Sequence, residues 1–286
     1  MIYDTFPFFN ELDLLEIRLH ELDSVVDFFV LVEATHTHSG RPKPLHYRDN
    51  AARFAPFAKK IIHIIVEDMP AQGDAWVRER FQRDAIRRGL SKCRPEDWIL
   101  MSDVDEIPRA AIVRQTLQAA EKIPPAPAWQ RRLLLHPLTT RLFRKKFRRQ
   151  HPAVWVFHQR PSTYYLTFIR DTPGPATRLV RYGDLGQPRD LRRWGGRIIS
   201  DGGWHFTCIG DIATLQEKIR AFAHQEYNTA ETLDPQRLAQ QMARGEYVFA
   251  ASGGGGEFRA VPLDETFPAW LRENQKKFSH LIKPVK

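Results

Sequence analysis

Three carboxylates within four positions, Asp103, Asp105 and Glu106, follow directly on the apolar run Trp98-Ile99-Leu100-Met101, and Pro108 closes the stretch. A short apolar run bounded by turn signals reads as a buried strand of a parallel sheet. Its charged tail is therefore expected at the strand's carboxyl end, where open α/β sheets bind ligands. Side chains at alternate strand positions share a face, which lets Asp103 and Asp105 converge on one cation. Carboxylates held that close repel unless a positive charge lies between them. Oxygen ligands of this kind suit Mg²⁺ or Mn²⁺, completed by substrate phosphates. A D-x-D triplet alone is common in surface loops; one that closes an apolar strand points to a metal–diphosphate site.

A second constellation is Ile198-Ile199-Ser200-Asp201-Gly202-Gly203-Trp204-His205, a strand pattern interrupted by glycines. Glycine lets a backbone approach a ligand closely. Trp204 offers a flat face to a sugar and His205 a metal or phosphate contact; the plainer alternative is a core Trp beside a satisfied His. His36 and His38 lie in a turn-rich loop over 35–42, as ligands or as ordinary titrating side chains. Residues 141–149 carry six basic side chains around Leu142, Phe143 and Phe147. Such a run is either a solvated face or a contact for an anionic acceptor or membrane surface.

The elements that must position these groups follow from periodicity. Helical spacing predicts helices over 11–22 (with Asn10 as N-cap), 74–90, 109–123, 211–227, 234–244 and 267–282. Apolar runs predict strands over 25–32, 60–66, 98–101, 129–140, 154–158 and 198–207. Residues 172–196 are rich in Pro, Gly and Arg and read as a long loop, and 252–256 as a flexible stretch. Strands that read as buried, alternating with helices, argue for an α/β fold with a mostly parallel central sheet flanked by helices.

Length and composition set the bounds. The chain has 286 residues, enough for one large α/β domain, and 42% hydrophobic with 27% charged residues excludes a disordered chain. With 43 basic against 34 acidic residues the formal charge is +9, which suits an anionic partner such as a nucleotide-sugar phosphate, acidic glycan, anionic lipid or nucleic acid. Cys93 and Cys208 cannot form a disulfide framework, so a reducing compartment is expected. No stretch reads as a signal peptide or membrane span, and no G-x-G-x-x-G or P-loop is present. A cytoplasmic protein, resting on the inner membrane surface through 141–149, is the expectation.

Several blocks together resemble glycosyltransferase family 17. They are Asn10-Glu11-Leu12-Asp13-Leu14-Leu15-Glu16-Ile17-Arg18-Leu19-His20-Glu21-Leu22, Val25-Val26-Asp27, Val32-Glu33-Ala34 and Arg41-Pro42-Lys43-Pro44-Leu45. Further on come Ser102-Asp103-Val104-Asp105-Glu106-Ile107-Pro108, Gly203-Trp204-His205, and Lys218 with His224-Gln225-Glu226-Tyr227-Asn228. The resemblance implies a GT-A-like nucleotide-diphospho-sugar transferase fold, here one domain over 1–230 with 231–286 as a helical tail packed on it. It also implies inverting chemistry, a divalent cation (Mn²⁺ or Mg²⁺) and a UDP-sugar donor, most simply UDP-N-acetylglucosamine. Animal members are membrane-anchored; without an anchor, a glycan or glycolipid acceptor at a cell-surface precursor is expected, and nucleic acid is not.

Glycosyl transfer needs the diphosphate leaving group neutralised and an acceptor hydroxyl deprotonated. Asp103 and Asp105 with His205 form the expected metal set, Asp103 also reaching the ribose. Glu33 and Asp68, at strand ends, suit the uracil and ribose, with Trp204 also on the donor side. Arg80, Arg83 and Asp84 on the following helix close over the nucleotide, unless they are surface ion pairs. Asp201 is the expected general base, with Glu106 and Glu226 as further candidates. Two other readings compete: a metal-dependent nucleotidyl or phosphoryl enzyme, and a basic carbohydrate- or nucleic-acid-binding module. A buried strand ending in D-x-D has no use in the second.

Overall fold

The sheet is built outward from a strand that periodicity does not reveal, β1 (Ile2–Phe8). In the computed structural model, which describes residues 1–123, 151–249 and 258–285 with isolated positions between 124 and 150, β1 is central. It runs parallel to β2 (Phe28–Ala34) on one side and to β4 (Trp98–Met101) on the other, with Tyr3 opposite both Phe28 and Ile99. Between these, α1 (Leu12–Leu22) leads to β2, and α2 (His46–Asp49) precedes β3 (Ile61–Val66), which extends the parallel set beyond β2. Helices α3 (Ala75–Asp84) and α4 (Ile86–Gly89) then carry the chain back to β4. The side chain of Asp74 opens α3 by accepting the Val77 N–H at 2.8 Å, satisfying one of the donors a helix start leaves bare.

Beyond β4 the sheet becomes mixed. After β5 (Glu106–Pro108) and α5 (Ala110–Glu121), the ten-residue β6 (Trp155–Tyr164) joins the two parts of the sheet. The strand β7 (Phe168–Ile169) follows, then β8 (Gly174–Arg181), which lies antiparallel between β4 and β6. A short helix α6 (Pro188–Leu191) leads to β9 (Arg197–Ile199) and β10 (Gly203–Ile209), both parallel to β6, and β10 pairs antiparallel with β5. Helices α7 (Ile212–Ala221) and α8 (Pro235–Arg244), the two-residue β11 (Arg259–Ala260) beside β7, and α9 (Ala269–Glu273) complete the chain.

Alternation along the parallel strands sorts the core onto two faces. Phe6, Phe8, Phe29, Leu31 and Leu100 pack with Leu15 and Leu19 of α1 and Val113 and Leu117 of α5. Tyr3, Val30, Val32, Ile99 and Met101 pack with Ala85 and Ile86 at the α3–α4 break. The C-terminal residues Leu271, Phe278 and Leu281 pack on Leu14 and Ile17 of α1, and His20 stacks on Trp270 with ring centroids 3.5 Å apart. Among the described residues no helix is long and apolar enough to cross a membrane.

Four expectations are revised. The stretch over 172–196 contains β8, whose Ala176, Thr177, Leu179 and Val180 are buried. The terminal helix shrinks to Ala269–Glu273 and a single 3₁₀ turn, Ser279–Leu281. The helix over 211–227 ends at Ala221, and the N-cap position of α1 is Glu11. The fold is α/β as expected, with β1 through β4 an all-parallel set and β6 parallel to β9 and β10 but antiparallel to β7 and β8. The strand over 129–140, the basic run 141–149 and the stretch 252–256 lie outside the continuously described residues.

Candidate active site

Strand order reverses between β1 and β4: the chain builds β2 and β3 on one side of β1, then crosses back to lay β4 on the other. Open α/β sheets bind ligands at the carboxyl ends beside such a reversal. A cavity of about 550 Å³ opens there, lined by Pro7, Phe8 and Phe9 at the end of β1 and by Asp103, Val104 and Asp105 after β4. Ligand pockets typically span ~300–1,000 Å³. From α3 come Trp76, Glu79, Gln82 and Arg83, three or four positions apart and therefore on one helix face. From the other half come His205, Thr207 and Cys208 of β10, Lys218 of α7, Arg192, and the aromatics Phe222, Tyr227, Tyr247 and Phe249.

The D-x-D residues form a turn and not the tail of a strand. The Glu106 N–H donates to the Asp103 carbonyl at 3.0 Å, and the Asp103 N–H donates to the Glu106 carboxylate at 3.0 Å. The turn is held from beneath by Arg18 of α1, which is 0% exposed. Its guanidinium donates to Asp4 on β1, to Ser102 Oγ at 2.7 Å, and to the carbonyl oxygens of Asp103, Val104 and Glu106. Alternation along a strand therefore does not decide where the two aspartates point; Arg18 and the turn do.

The aspartates have separate partners. Asp103 Oδ1 accepts from Arg83 Nη2 at 2.8 Å and Oδ2 from Arg192 Nη2 at 3.0 Å. Desolvation alone would raise the Asp103 pKa, but the charges of Arg192 and Arg83 outweigh it and hold the carboxyl well below the usual range. Arg192 also donates to both carboxylate oxygens of the buried Glu106, and Nη2 reaches Oε1 at 2.6 Å. Asp105 Oδ2 accepts from Lys218 Nζ at 3.0 Å, and Oδ1 lies 3.8 Å from His205 Nε2. Desolvation would lower the Lys218 pKa; Asp105 beside it more than reverses that, so the ammonium stays charged.

Two backbone features aim β10. Gly203 sits at φ +129°, and a Cβ there would come within 2.2 Å of the Ile107 carbonyl oxygen, so only glycine lets β10 lie this close to β5. The pairing sets His205 opposite Glu106 and Trp204 opposite Ile107. Near the other end Cys208, at φ +53°, sits at a β-bulge between Thr207 and Ile209, and Thr207 and Cys208 both line the cavity.

Of the residues singled out from sequence, the fold brings Asp103, Asp105, His205 and Arg83 together around the cavity. Glu106 lies just behind them through Arg192. Glu33 is buried one side chain away, accepting from the Tyr47 N–H at 2.9 Å, with Lys43 of the cavity wall 3.6 Å from it. His36, His38 and Lys218 also line the cavity, whereas Asp68, Asp84, Arg80, Trp204, Asp201 and Glu226 fall outside it. Asp68 pairs with Arg88 and Asp84 with Arg189 at the surface, and Arg80 is half-buried. Trp204 is a core residue, its Nε1 donating to the Thr266 carbonyl and its ring covered by Arg109. The Asp201 side chain is 70% exposed and pairs with Arg109 at 3.0 Å. Glu226 is exposed and held by His224, a cavity residue, through Nδ1 at 2.7 Å.

Sequence reasoning missed Arg192, Gln82, Glu79 and the aromatic wall. Gln82 ties the strand ends together, its amide donating to the Val32 carbonyl at 2.9 Å while its oxygen faces His38 Nε2 at 2.8 Å. Its spacing from Arg83 and Glu79 was the available signal; Arg192 gave none.

Among the described residues no three His, Cys, Asp or Glu side chains converge as a ready-made metal set. Asp105 Oδ1 and His205 Nε2, 3.8 Å apart and not hydrogen-bonded, fit as two protein ligands of a Mg²⁺ or Mn²⁺ completed by phosphate oxygens. Asp103 fits less well, because it would have to release charge-assisted bonds worth ~1.5–3 kcal/mol each.

The cavity at the reversal point of this α/β fold thus sets carboxylates beside guanidinium and ammonium groups. The chain belongs to glycosyltransferase family 17, whose family model matches residues 1–169. It is 35% identical over 108 residues to the human and the rat proteins named beta-1,4-mannosyl-glycoprotein 4-beta-N-acetylglucosaminyltransferase. Those matches cover 35% of this chain and 20% of each relative, so the chain matches about a fifth of their length. Among solved structures, a Francisella tularensis 2-C-methyl-D-erythritol 4-phosphate cytidylyltransferase aligns with 70% of this chain and 89% of its own at 7% identity and a TM-score of 0.35, too slight to argue shared topology.

Proposed function

We propose that this chain is an inverting glycosyltransferase that moves a sugar from a UDP-sugar, most simply UDP-N-acetylglucosamine, to a glycan or glycolipid acceptor. One observation carries the reading: in a family 17 chain, the cavity at the β1/β4 reversal holds both D-x-D carboxylates together with His205, Lys218 and two arginines. A nucleoside diphosphate needs such a mixture, cations for its phosphates and acceptors for its sugar hydroxyls. The relatives' name supports the choice of sugar.

In this reading Asp105 and His205 hold the divalent cation, which when bound neutralises the departing diphosphate. Lys218 keeps Asp105 charge-balanced and adds its ammonium to the leaving-group side. Gln82 and Arg18 hold the strand ends and the turn still, so the reacting groups are oriented before the substrate arrives. The aromatics on the α7 side offer ring faces to the acceptor. The protein would work in the cytoplasm, with the basic run 141–149 resting on anionic lipid.

The test is incubation with a panel of nucleotide sugars and Mn²⁺, following nucleoside diphosphate release. UDP-N-acetylglucosamine should be consumed and its UDP released faster with acceptor. No release and no metal-dependent binding across the panel would overturn the reading; turnover of nucleoside triphosphates instead would favour a nucleotidyl enzyme.

A further inference from the structure

We propose that Arg83 and Arg192, braced by Asp103, form a guanidinium clamp that contacts the donor diphosphate directly, adding to the cation's share of the binding a part that needs no metal. This deepens, and rests on, the reading of the cavity as a nucleoside-diphosphate-sugar site. Arg83 is 6% exposed and lines the cavity. Its Nε donates to Glu79 at 2.7 Å and its Nη2 to Asp103 at 2.8 Å, while Nη1 is buried with no hydrogen-bond partner. An unmatched guanidinium N–H on a residue that lines a cavity is a place for an acceptor once the side chain shifts to meet it, and an oxyanion is the acceptor that a planar cationic fork matches best.

Asp103 explains why the fork stays aimed. With one oxygen on each arginine it spans Arg83 and Arg192, which come from α3 and from the segment after α6. Glu106 fixes the far side of Arg192 with both its oxygens. Each carboxylate thereby serves as a brace whose own lone pairs are engaged, and both arginines line the cavity. The D-x-D pair then divides its work: Asp103 organises arginines, and Asp105 stands on the other side with His205 and Lys218. Arg192 is the positioning and recognition residue that the sequence did not disclose.

The experiment is calorimetric titration of the full chain with UDP, uridine and inorganic pyrophosphate, first in EDTA and then in Mn²⁺. In EDTA, UDP should bind about 10-fold or more tighter than uridine, and Arg83→Gln or Arg192→Gln should abolish that margin while leaving uridine affinity within about 2-fold. Unchanged uridine binding shows that the variants are folded; Arg192→Lys, which keeps charge but not the fork, should retain part of the margin. Asp103→Asn separates brace from metal ligand. As a brace, its loss weakens UDP in EDTA and leaves the gain on adding Mn²⁺ intact; loss of the Mn²⁺ gain alone would overturn the proposal. Equal binding of UDP and uridine to the wild-type chain in EDTA would also overturn it, even with Mn²⁺ restoring UDP. Failure of the donor reading looks different, since neither UDP nor uridine would then bind under any condition.

Discussion

Arg18 Nη1 donates to the Glu106 carbonyl oxygen at 2.8 Å, and through that bond a helix of the core reaches the turn that carries the D-x-D residues. The same guanidinium pairs with Asp4, both side chains 0% exposed. Arg18→Met would leave the Asp4 carboxylate buried without its partner, at a cost of ~3–5 kcal/mol. The double variant Asp4→Leu/Arg18→Met should recover much of that stability. It should still bind UDP more weakly than wild type, because the turn has lost its support. Thermal melting with UDP titration checks both parts; full UDP affinity in the folded double variant would show that Arg18 serves the core alone.

Gly203→Ala tests whether β10 depends on its close approach to β5. The added Cβ would meet the Ile107 carbonyl at 2.2 Å and force an L-residue to φ +129°. A loss of at least ~2 kcal/mol is expected, and His205 should move away from Asp105. A melting temperature within a degree or two of wild type would contradict this packing.

Asp201→Asn should leave turnover and donor binding near wild type, since the side chain pairs with Arg109 outside the cavity. A fall in kcat of ~10²-fold or more, the scale of a lost general base, would place the acceptor's proton on Asp201 after all.

Much of the site was legible because its signals are local. A D-x-D behind an apolar strand, and Arg83 on an amphipathic helix, announce themselves within a dozen residues. What escaped depends on distant partners. β1 reads poorly because Asp4 and Pro7 break its pattern, and only Arg18, from the next helix, makes a buried Asp4 tolerable. β8 hides in a stretch of Pro, Gly and Arg, and its Arg178 is buried beside Arg192 with its pKa lowered by desolvation to about 10. Trp204 looked like a sugar platform, and β10–β5 pairing made it core. The D-x-D residues were read as a strand end, whereas the Asp103–Glu106 hydrogen bonds curl them into a turn.

The six basic residues in 141–149 should hold the chain to anionic lipid. Sedimentation with vesicles containing phosphatidylserine should exceed that with neutral vesicles at low salt and fall as salt rises. Equal sedimentation with both would remove the membrane contact and leave the transfer chemistry untouched.

The central claim is that the cavity binds a nucleoside diphosphate through a cation held by Asp105, and UDP titration of Asp105→Ala with and without Mn²⁺ tests it most directly. Asp105 sits at the surface of the cavity in a turn anchored by other residues, so the variant should fold. It should lose the Mn²⁺-dependent gain in UDP affinity and lose turnover together, while any binding seen in EDTA persists. An Asp105→Ala protein that still binds UDP more tightly when Mn²⁺ is added would contradict the claim.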